Sequence, residues 1–424
     1  MQDTTPTEPV AAPRAGVSVA SIIVSMGLLG FGNGLMFAWM PLRLAAEGFA
    51  PWVAGTLVTA VAAGGIVGCL MAGPIVRRVG HARAFAALAA LEVLTMVMVA
   101  AAPEPVLWVA SRLIYGFAIN GLFVVSQSWL NDAAENRWRG RVIAVFYMVY
   151  ILSLGVGGFM LTVVPLEGTG APLFAICLVA LAILPVALTR LPAPPPPEAV
   201  SVELRRVWRI SPVGLMGMFV VGGVSMLTQG FAPIYATAEG MAKEEVGILL
   251  LSMQAGMILV QVPFGALSDR IDRRIVLIAA CVVVVAGAGT ATQVPVASLA
   301  LLALVFAVWS GAVESIYSIS TAHANDRADP RHFVSLSSTL LVAWSVSAFV
   351  LPLIATALTP LLGPRAFMAV AMAATAFFGV FVLARVLSRE PVPEGEQVSF
   401  RPLSAQAPLT PDLAPLPEEV RDGA

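Results

Sequence analysis

Three ionisable side chains lie inside long apolar runs of the sequence, namely Glu92, Arg112 and Glu314. A charge inside a membrane-spanning helix is costly, so such residues are found mainly where they bind a proton, an ion or a charged ligand. A carboxyl in apolar surroundings can gain and lose a proton, and a guanidinium can hold a carboxylate. The sequence therefore points first to proton or ion chemistry within the apolar part of the chain.

Glu92 and Arg112 lie in two consecutive runs, on either side of the polar turn Ala102–Pro105. Counted from that turn, their depths differ by about one helical turn, so we expect that they can pair. A pair would lower the cost of both charges, and protonation of Glu92 would break it. The alternatives are a glutamate in a plain helix–helix contact and an arginine that reaches the outer surface along its aliphatic stem.

Glu314 lies in the tenth run, and a carboxyl there could bind a proton or a cationic substrate. Neutral polar and aromatic residues of other runs are candidates to line a cavity with it. Each of them alone is more often an interhelical hydrogen bond or a packing contact than a substrate contact. These candidates are Asn33, Trp39, Asn120, Gln127, Gln229, Tyr235 and Tyr317, with Gln254, Gln261 and Trp344 as weaker ones.

The composition identifies an integral membrane protein. Of 424 residues, 58% are apolar and 12% are charged, whereas a soluble domain has about a quarter charged residues. Twelve apolar runs are long enough to cross a hydrocarbon core of about 30 Å, and they are too long and too uniform for barrel strands. The predicted spans are 17–42, 53–76, 84–102, 106–130, 140–164, 171–190, 211–236, 245–267, 274–294, 297–322, 333–359 and 364–388.

A polar turn with the pattern Gly-x-Leu-x-Asp-Arg-x-x-Arg-Arg, residues 265–274, joins the eighth and ninth runs. A second copy of its frame lies 192 positions upstream, and near the fourth and tenth runs the offset becomes 194. A same-orientation repeat of half the chain is typical of a transporter with two six-helix halves. The aligned pairs include Pro41 with Pro233, Gly48 with Gly240, Gly64 with Gly256, Gly73 with Gly265, Arg78 with Arg270, Asp132 with Asp326, and Asn120 with Glu314.

The repeated polar turns predict a gate at one face of the membrane. Asp269, at the end of the eighth span, can accept hydrogen bonds from a neighbouring helix N-terminus and pair with nearby arginines. The first half has Arg77 at the equivalent position, so its latch must differ. The predicted gate residues are Gly73, Arg77, Arg78, Arg83, Asn131, Asp132, Arg139, Gly265, Asp269, Arg270, Arg273, Asn325, Asp326 and Arg327.

The arrangement of basic residues predicts the orientation. With the N-terminus in the cytoplasm, twenty of the 24 basic residues lie on the cytoplasmic side, three lie opposite, and Arg112 lies within a span. Both termini are then cytoplasmic.

The predicted segments are a disordered tail 1–15, a six-helix bundle 16–190, a proline-rich linker 191–210, a second six-helix bundle 211–388 and a disordered tail 389–424. Part of the linker, residues 202–209, fits a short amphipathic surface helix and a plain basic loop equally well.

The repeated turn resembles the loop between the second and third helices of each half of a major facilitator superfamily transporter. Arg112-Leu-Ile-Tyr-Gly116 resembles a motif of the fourth helix that is often tied to proton coupling in that superfamily. Residues 80–85, 128–131, 139–142 and 322–327 further resemble its YcaD-type subgroup. The resemblance implies an all-α, twelve-helix inner-membrane transporter in two pseudo-symmetric bundles. It also implies a glutamate just before the Ser128-Trp-Leu run, where this chain has Gln127.

The sequence thus favours a secondary active transporter of a small organic molecule by alternating access, coupled to protons, with efflux slightly favoured over uptake. We expect a monomer in a bacterial inner membrane, without nucleic-acid partner or cofactor. No metal-ligand spacing occurs in the sequence, and each cysteine lies in an apolar run. The alternative is a membrane sensor or scaffold that keeps the fold without transport. An enzyme is disfavoured because the nearest candidate group, His323-Ala-Asn325-Asp326, lies in a repeated gate loop.

Overall fold

The computed structural model describes residues 15–134, 138–189, 202–328 and 333–388. The predicted tails, except for Ala15, and the linker up to residue 201 lie outside these ranges. Within them the chain is helical and contains no strand, as its uninterrupted apolar runs predict. The first six helices are α1 (Ala15–Ala46), α2 (Pro51–Val79), α3 (His81–Ala101), α4 (Pro105–Ala133), α5 (Arg139–Phe159) and α6 (Gly170–Leu188).

The second half starts with a short helix and then repeats the first. Its elements are α7 (Leu204–Ile210), α8 (Pro212–Ala238), α9 (Lys243–Leu259), α10 (Gln261–Ser268), α11 (Arg273–Ala291), α12 (Leu299–Asn325), α13 (Phe333–Leu362) and α14 (Ala366–Ser388). Helices α9 and α10 together form one span, Lys243–Ser268. A turn at Gly363–Arg365 divides the long apolar stretch Ser335–Ser388 into two spans, so eleven apolar helical stretches give twelve crossings.

The turns show the predicted repeat. Gly48, after α1, and Gly240, after α8, are repeat partners, and their φ angles are 81° and 80°. A side chain is strained in this left-handed region, so glycine is the residue suited to both turns. Proline begins both α2 and α4, where its missing N–H has no intrahelical partner to lose.

Packing within the two halves follows the same plan. In the first half α2 packs on α4, α1 on α5 and α6, and α3 on α4 and α6. The second half repeats each of these pairs, with α9 on α12, α8 on α13 and α14, and α11 on α12 and α14. The structure is therefore two pseudo-symmetric six-helix bundles, as the sequence repeat predicts.

The closest helix crossings depend on glycine. A Cβ at Gly116 of α4 would lie 2.8 Å from the carbonyl carbon of Val61 on α2, and one at Gly64 would meet the Leu113 carbonyl group in the same way. Backbone cannot move aside as a flexible side chain can. The absence of a side chain therefore lets α2 and α4 touch along their backbones, as small residues do in membrane bundles.

The two halves meet mainly through α2 with α13 and α5 with α9. Gly55 lies against Thr356, and the Nζ of Lys243 donates a hydrogen bond of 3.1 Å to the carbonyl oxygen of Val164. These contacts lie near the α1–α2, α8–α9 and α13–α14 turns. We call this end, where the halves touch, the closed end.

Candidate functional site

A cavity of about 100 Å³ lies between the halves. Helices α1, α2, α4 and α5 line it from one side, and α8, α9 and α13 line it from the other. In the described part of the chain, none of its lining residues is Asp, Glu, Lys, Arg or His. Its polar and aromatic lining residues are Phe37, Tyr115, Asn120, Phe123, Tyr150, Ser225, Gln229, Gln254, Trp344 and Ser345.

Side-chain amides reach the cavity from both halves. Asn120 of α4 donates a hydrogen bond of 3.1 Å to the carbonyl oxygen of Gly116. From the second half, the Nε2 of Gln254 donates one of 2.7 Å to the Oε1 of Gln229. An amide has two N–H donors and an oxygen acceptor, so each half can offer both kinds of group to a solute.

Behind the first-half wall of the cavity lies a buried polar cluster centred on Glu92 of α3. Glu92 is 0% exposed and Arg112 is 4% exposed. The two residues and Tyr115 act on one another electrostatically, and Asn33 and Tyr150 also face the carboxyl group. The Arg112 guanidinium carbon lies 4.5 Å from the centroid of the Tyr115 ring. We call these five residues the Glu92 cluster.

The Glu92 carboxyl and the Arg112 guanidinium are neighbours, but they do not form a salt bridge within the described residues. Neither carboxylate oxygen of Glu92 has a well-oriented hydrogen bond there, and neither do the Nε and Nη2 of Arg112. Asn33 makes a looser hydrogen-bonding contact with the Glu92 carboxyl group. Buried polar atoms normally have well-formed hydrogen bonds, so this loose arrangement marks a site where a proton, a water molecule or a shift of the helices can act. The predicted Glu92–Arg112 pairing therefore stays a prediction.

Two tyrosines separate Glu92 from the cavity. Tyr115 and Tyr150 both line the cavity, and both act on Glu92. Neither was predicted, because the span of a tyrosine determines its depth in the bundle but not the direction in which its helical face points. The available signal was spacing, since Tyr115 follows Arg112 by three residues and so lies on the same helical face.

Three of the predicted cavity residues lie in the packed interior. The Trp39 indole donates a hydrogen bond of 3.0 Å to the carbonyl oxygen of Leu166. Tyr235 is 0% exposed and stacks on Phe306, with 6.1 Å between ring centroids. Gln127 is fully buried in α4. None of the three is among the lining residues that the structure describes.

Glu314 is buried in α12, 1% exposed, and is also absent from the described lining. Its backbone carbonyl accepts a hydrogen bond of 3.2 Å from the Nε2 of Gln261, which donates another of 2.9 Å to Ser318. Tyr317, one residue before Ser318, acts electrostatically on Tyr147 of the first half. Glu314 therefore lies where α10 packs on α12, whereas its repeat partner Asn120 lines the cavity.

At the end opposite the closed end, an ion pair joins α11 to α12. The Nε of Arg273 lies 2.7 Å from the Oδ2 of Asp326, and each side chain is 1% exposed. A second contact of 3.4 Å joins the Nη2 of Arg273 to the Oδ1 of Asp326. Both residues are among the predicted gate residues, and the structure brings them together.

A second ion pair, which the gate prediction did not include, lies beside the first. Asp272 accepts hydrogen bonds from the Nε, Nη2 and backbone N–H of Arg274, and the Nη1 of Arg274 reaches the carbonyl oxygen of Arg385 on α14. Partial burial opposes the ionisation of Asp272, but these hydrogen bonds and the positive charge of Arg274 outweigh it and lower the pKa of Asp272 below its ordinary value. Three helices are thus tied together at this end.

The other predicted gate residues lie at the same end. Gly73 and Gly265 are buried within α2 and α10, and Asn325 is buried at the end of α12. The side chain of Asp269 is exposed just after α10. The latch predicted for Asp269 stays a prediction. The remaining predicted residues are exposed or half-buried near the same helix ends, namely Arg77, Arg78, Arg83, Asn131, Asp132, Arg139, Arg270 and Arg327.

The first half has a histidine where the second half has the ion-paired arginine. In the repeat frame His81 corresponds to Arg273, and Asp132 corresponds to Asp326. The Nε2 of His81 lies 3.2 Å from the Oγ of Ser128, and Asp132 acts on the imidazole electrostatically. The two predicted gates therefore have equivalent acidic residues but differ in the basic residue beside them.

Comparison with known proteins supports the same fold. The family model described as Major Facilitator Superfamily matches residues 22–241 and 213–418. An uncharacterized MFS-type transporter of Enterobacter sp. (strain 638) is 24% identical over 384 residues, which are 88% of this chain and 97% of the relative. The uncharacterized MFS-type transporter YcaD of Escherichia coli is 24% identical over 336 residues, 79% of this chain and 87% of YcaD.

Solved transporters have the same architecture. A variant of the nucleoside transporter NupG is 13% identical, with a TM-score of 0.68 over 87% of this chain and 100% of that one. A bacterial homologue of the human lysosomal transporter Spinster, inward-facing and unoccupied, is 12% identical, with a TM-score of 0.61 over 90% of this chain and 96% of that one. At these identities the likeness shows the fold alone. The family match spans both halves of the repeat, and this chain belongs to the Major Facilitator Superfamily.

Proposed function

We propose that the protein is a proton-coupled secondary active transporter that moves a small organic solute by alternating access. The observation that carries this proposal is the position of the cavity. It lies between two pseudo-symmetric halves, receives hydrogen-bonding groups from both, and has the Glu92 cluster directly behind its wall. A solute held by both halves can couple its own movement to theirs.

The contacts between the halves supply the gating step. At the closed end α2 packs on α13 and α5 on α9, with Lys243 hydrogen-bonded to Val164 across the boundary. Transport requires these contacts to open while the opposite ends approach. The neutral packing at Gly55 and Thr356 lets such an interface separate without leaving buried charges unpaired.

The lining favours an uncharged or weakly polar solute with an aromatic or apolar body. A charged ligand would leave water for a cavity whose described lining has no charged partner, and that transfer is costly. Phe37, Phe123 and Trp344 can instead pack on a flat apolar surface, while Asn120 and Gln229 serve its polar groups. This class of solute includes amphipathic compounds. Because the spans carry few charges, we favour efflux of such compounds over uptake.

Glu92 is the group that we propose carries the proton. It is fully buried, its neighbour Arg112 is not bonded to it, and Tyr115 and Tyr150 connect it to the cavity wall. Deprotonation would attract Arg112 toward α3, and protonation would release it. Because both residues lie on helices that pack against each other, this change in attraction can be transmitted to α1 and α5, which carry Asn33 and Tyr150.

We place the protein in a bacterial inner membrane with both termini cytoplasmic, on the basis of the strong bias of basic residues to one side. In that orientation the closed end faces outward, and the cavity belongs to an inward-facing state. The ion pairs of Arg273 and Arg274 then lie on the cytoplasmic side, where the gate was predicted.

The test is proton movement in sealed proteoliposomes that contain a pH-sensitive dye. The liposomes are challenged with a panel of neutral aromatic, cationic and anionic compounds. We expect a pH change with neutral aromatic compounds that is lost in Arg112→Ala and kept in Glu314→Gln, because Glu314 lies outside the described lining of the cavity. Folded protein that binds compounds of the panel but moves neither solute nor protons would contradict transport and favour the sensor alternative.

A further inference from the structure

The short helix α7 presents three different faces. Val207 is 1% exposed and packs against the bundle. Leu204 and Trp208, four residues apart, form an apolar stripe that is 52% and 40% exposed. Arg205 and Arg209, also four residues apart, form the neighbouring stripe and are exposed. A helix with one face on protein, one apolar face and one basic face is suited to a membrane–water interface.

The end of α14 fixes the level of that interface. Its outward residues Phe377, Val380 and Leu387 are 60%, 67% and 80% exposed, as expected for a lipid-facing surface. Arg385, in the last described turns of α14, is the basic residue beside Leu387. An arginine at the end of an apolar stripe marks the region where hydrocarbon gives way to headgroups.

Helices α7 and α14 meet through an aromatic and cationic contact. The rings of Trp208 and Phe381 lie 6.0 Å apart. The guanidinium carbon of Arg385 lies 5.2 Å from the Phe381 centroid and 6.0 Å from the Trp208 centroid. This contact sets Arg385 beside Trp208, which Arg209 of the basic stripe follows directly in the sequence. Arg205 and Arg209 make no ion pair within the part of the chain that the structure describes.

We propose that Arg205, Arg209, Arg385 and Trp208 form a binding site for the headgroup of an anionic phospholipid of the surrounding leaflet. The three guanidinium groups bind the phosphate, because guanidinium pairs with phosphate through parallel hydrogen bonds. Trp208 lies at the level of the glycerol backbone, and the acyl chains cover the outer face of α14. This assignment is independent of the transport proposal.

The apolar surroundings favour a lipid over a soluble anion. Leu204, Trp208 and Val202 are exposed beside the arginines, at 52%, 40% and 46%, and a free phosphate would leave them uncovered. Arg206 is less suited to the site, because its Nη1 lies 3.2 Å from the carboxylate of Glu203. It therefore provides a matched control on the same helix.

The experiment uses the full chain in detergent and measures quenching of tryptophan fluorescence by brominated phosphatidylglycerol or brominated phosphatidylcholine. Subtracting the signal of Trp208→Phe isolates the contribution of Trp208. We expect that phosphatidylglycerol binds at least tenfold more tightly than phosphatidylcholine. The combined variant Arg205→Gln, Arg209→Gln and Arg385→Gln should weaken its binding roughly a hundredfold, since each basic residue near an anionic surface contributes separately.

Two controls keep loss of binding distinct from loss of fold. The corresponding triple lysine variant keeps the positive charges and should retain most of the phosphatidylglycerol binding. Arg206→Gln should leave that binding within about twofold of the native protein, because Glu203 offsets the charge of Arg206. Equal binding of the two lipids, unchanged binding in the triple glutamine variant, or full competition by millimolar inorganic phosphate would each overturn the proposal.

Discussion

Arg273 and Asp326 form an ion pair of 2.7 Å that joins the start of α11 to the end of α12, with each side chain 1% exposed. A buried charge that loses its partner keeps its desolvation cost without compensation. Removing one member of such a pair commonly costs about 3–5 kcal/mol. The pair therefore makes the stability of this end of the second half sensitive to single substitutions.

We expect Asp326→Asn to lower the thermal unfolding temperature of the detergent-purified protein, by an amount equivalent to about 3 kcal/mol. Asp132→Asn, at the equivalent and more exposed first-half position, is the matched control and should cost less than about 1 kcal/mol. Unfolding curves of the two variants measure the difference. Equal effects would contradict a special role for the second-half pair.

Asp272 makes a pH-dependent contribution to stability. The hydrogen bonds from Arg274 hold the pKa of Asp272 below its ordinary value even though burial opposes its ionisation. A lowered carboxyl pKa stabilises the folded state above the unfolded-state pKa, which is about 4, and this contribution disappears as the pH falls through the lower folded-state value. We therefore expect Asp272→Asn to be less stable than the native protein at pH 6 and the gap to narrow below pH 4. A gap that stays constant from pH 7 to pH 3 would exclude this ionic contribution.

The crossing of α2 and α4 predicts that Gly116→Ala is harmful. The added Cβ would lie 2.8 Å from the carbonyl carbon of Val61, and the helices would have to separate. We expect a loss of about 1–3 kcal/mol in stability, as for other overpacked sites. Gly170→Ala is the control, because no heavy atom lies within 4 Å of its added Cβ. A thermal midpoint of Gly116→Ala equal to that of Gly170→Ala would show that the crossing is not tight.

Alternating access predicts that a covalent link at the closed end stops transport. A Cβ at Gly247 would lie 3.1 Å from the Cγ2 of Thr162, so cysteines at the two positions are close enough for a disulfide. Cys69, Cys177 and Cys281 are first replaced by serine or alanine. We expect oxidation of the pair Thr162→Cys and Gly247→Cys to abolish flux and reduction to restore it. Undiminished flux through the oxidised protein would contradict opening at this end.

Most of the fold could be predicted from the sequence, because the spanning helices and the turns between them depend on local properties of the chain. The length of each apolar run predicts a spanning helix, and the repeat of Gly48 at Gly240 predicts that the halves share their turns. The turn between α13 and α14 was also predicted, although the two helices lie in one long apolar stretch. The depths of Glu92 and Arg112 in the bundle were predictable as well, because they follow from the position of each residue within its apolar run.

The side-chain composition of the cavity was less predictable, because it depends on how each helix is rotated. Of the residues predicted for the cavity, Asn120 and Gln229 are among its described lining, whereas Trp39 and Tyr235 face the interior of their own bundles. A single span places a residue at a depth but not at an angle. That angle is set by helix crossings such as Gly116 on Val61, whose partners lie far apart in the sequence.

The most direct test of proton coupling measures protons and solute in the same proteoliposomes for Glu92→Gln. The control is Glu167→Gln, which removes an exposed carboxyl from the α5–α6 connection. The account predicts that Glu92→Gln still exchanges labelled solute across the membrane but no longer moves protons or accumulates solute against its gradient, while Glu167→Gln behaves like the native protein. Solute-driven proton movement of native size and native pH dependence in Glu92→Gln would contradict the account.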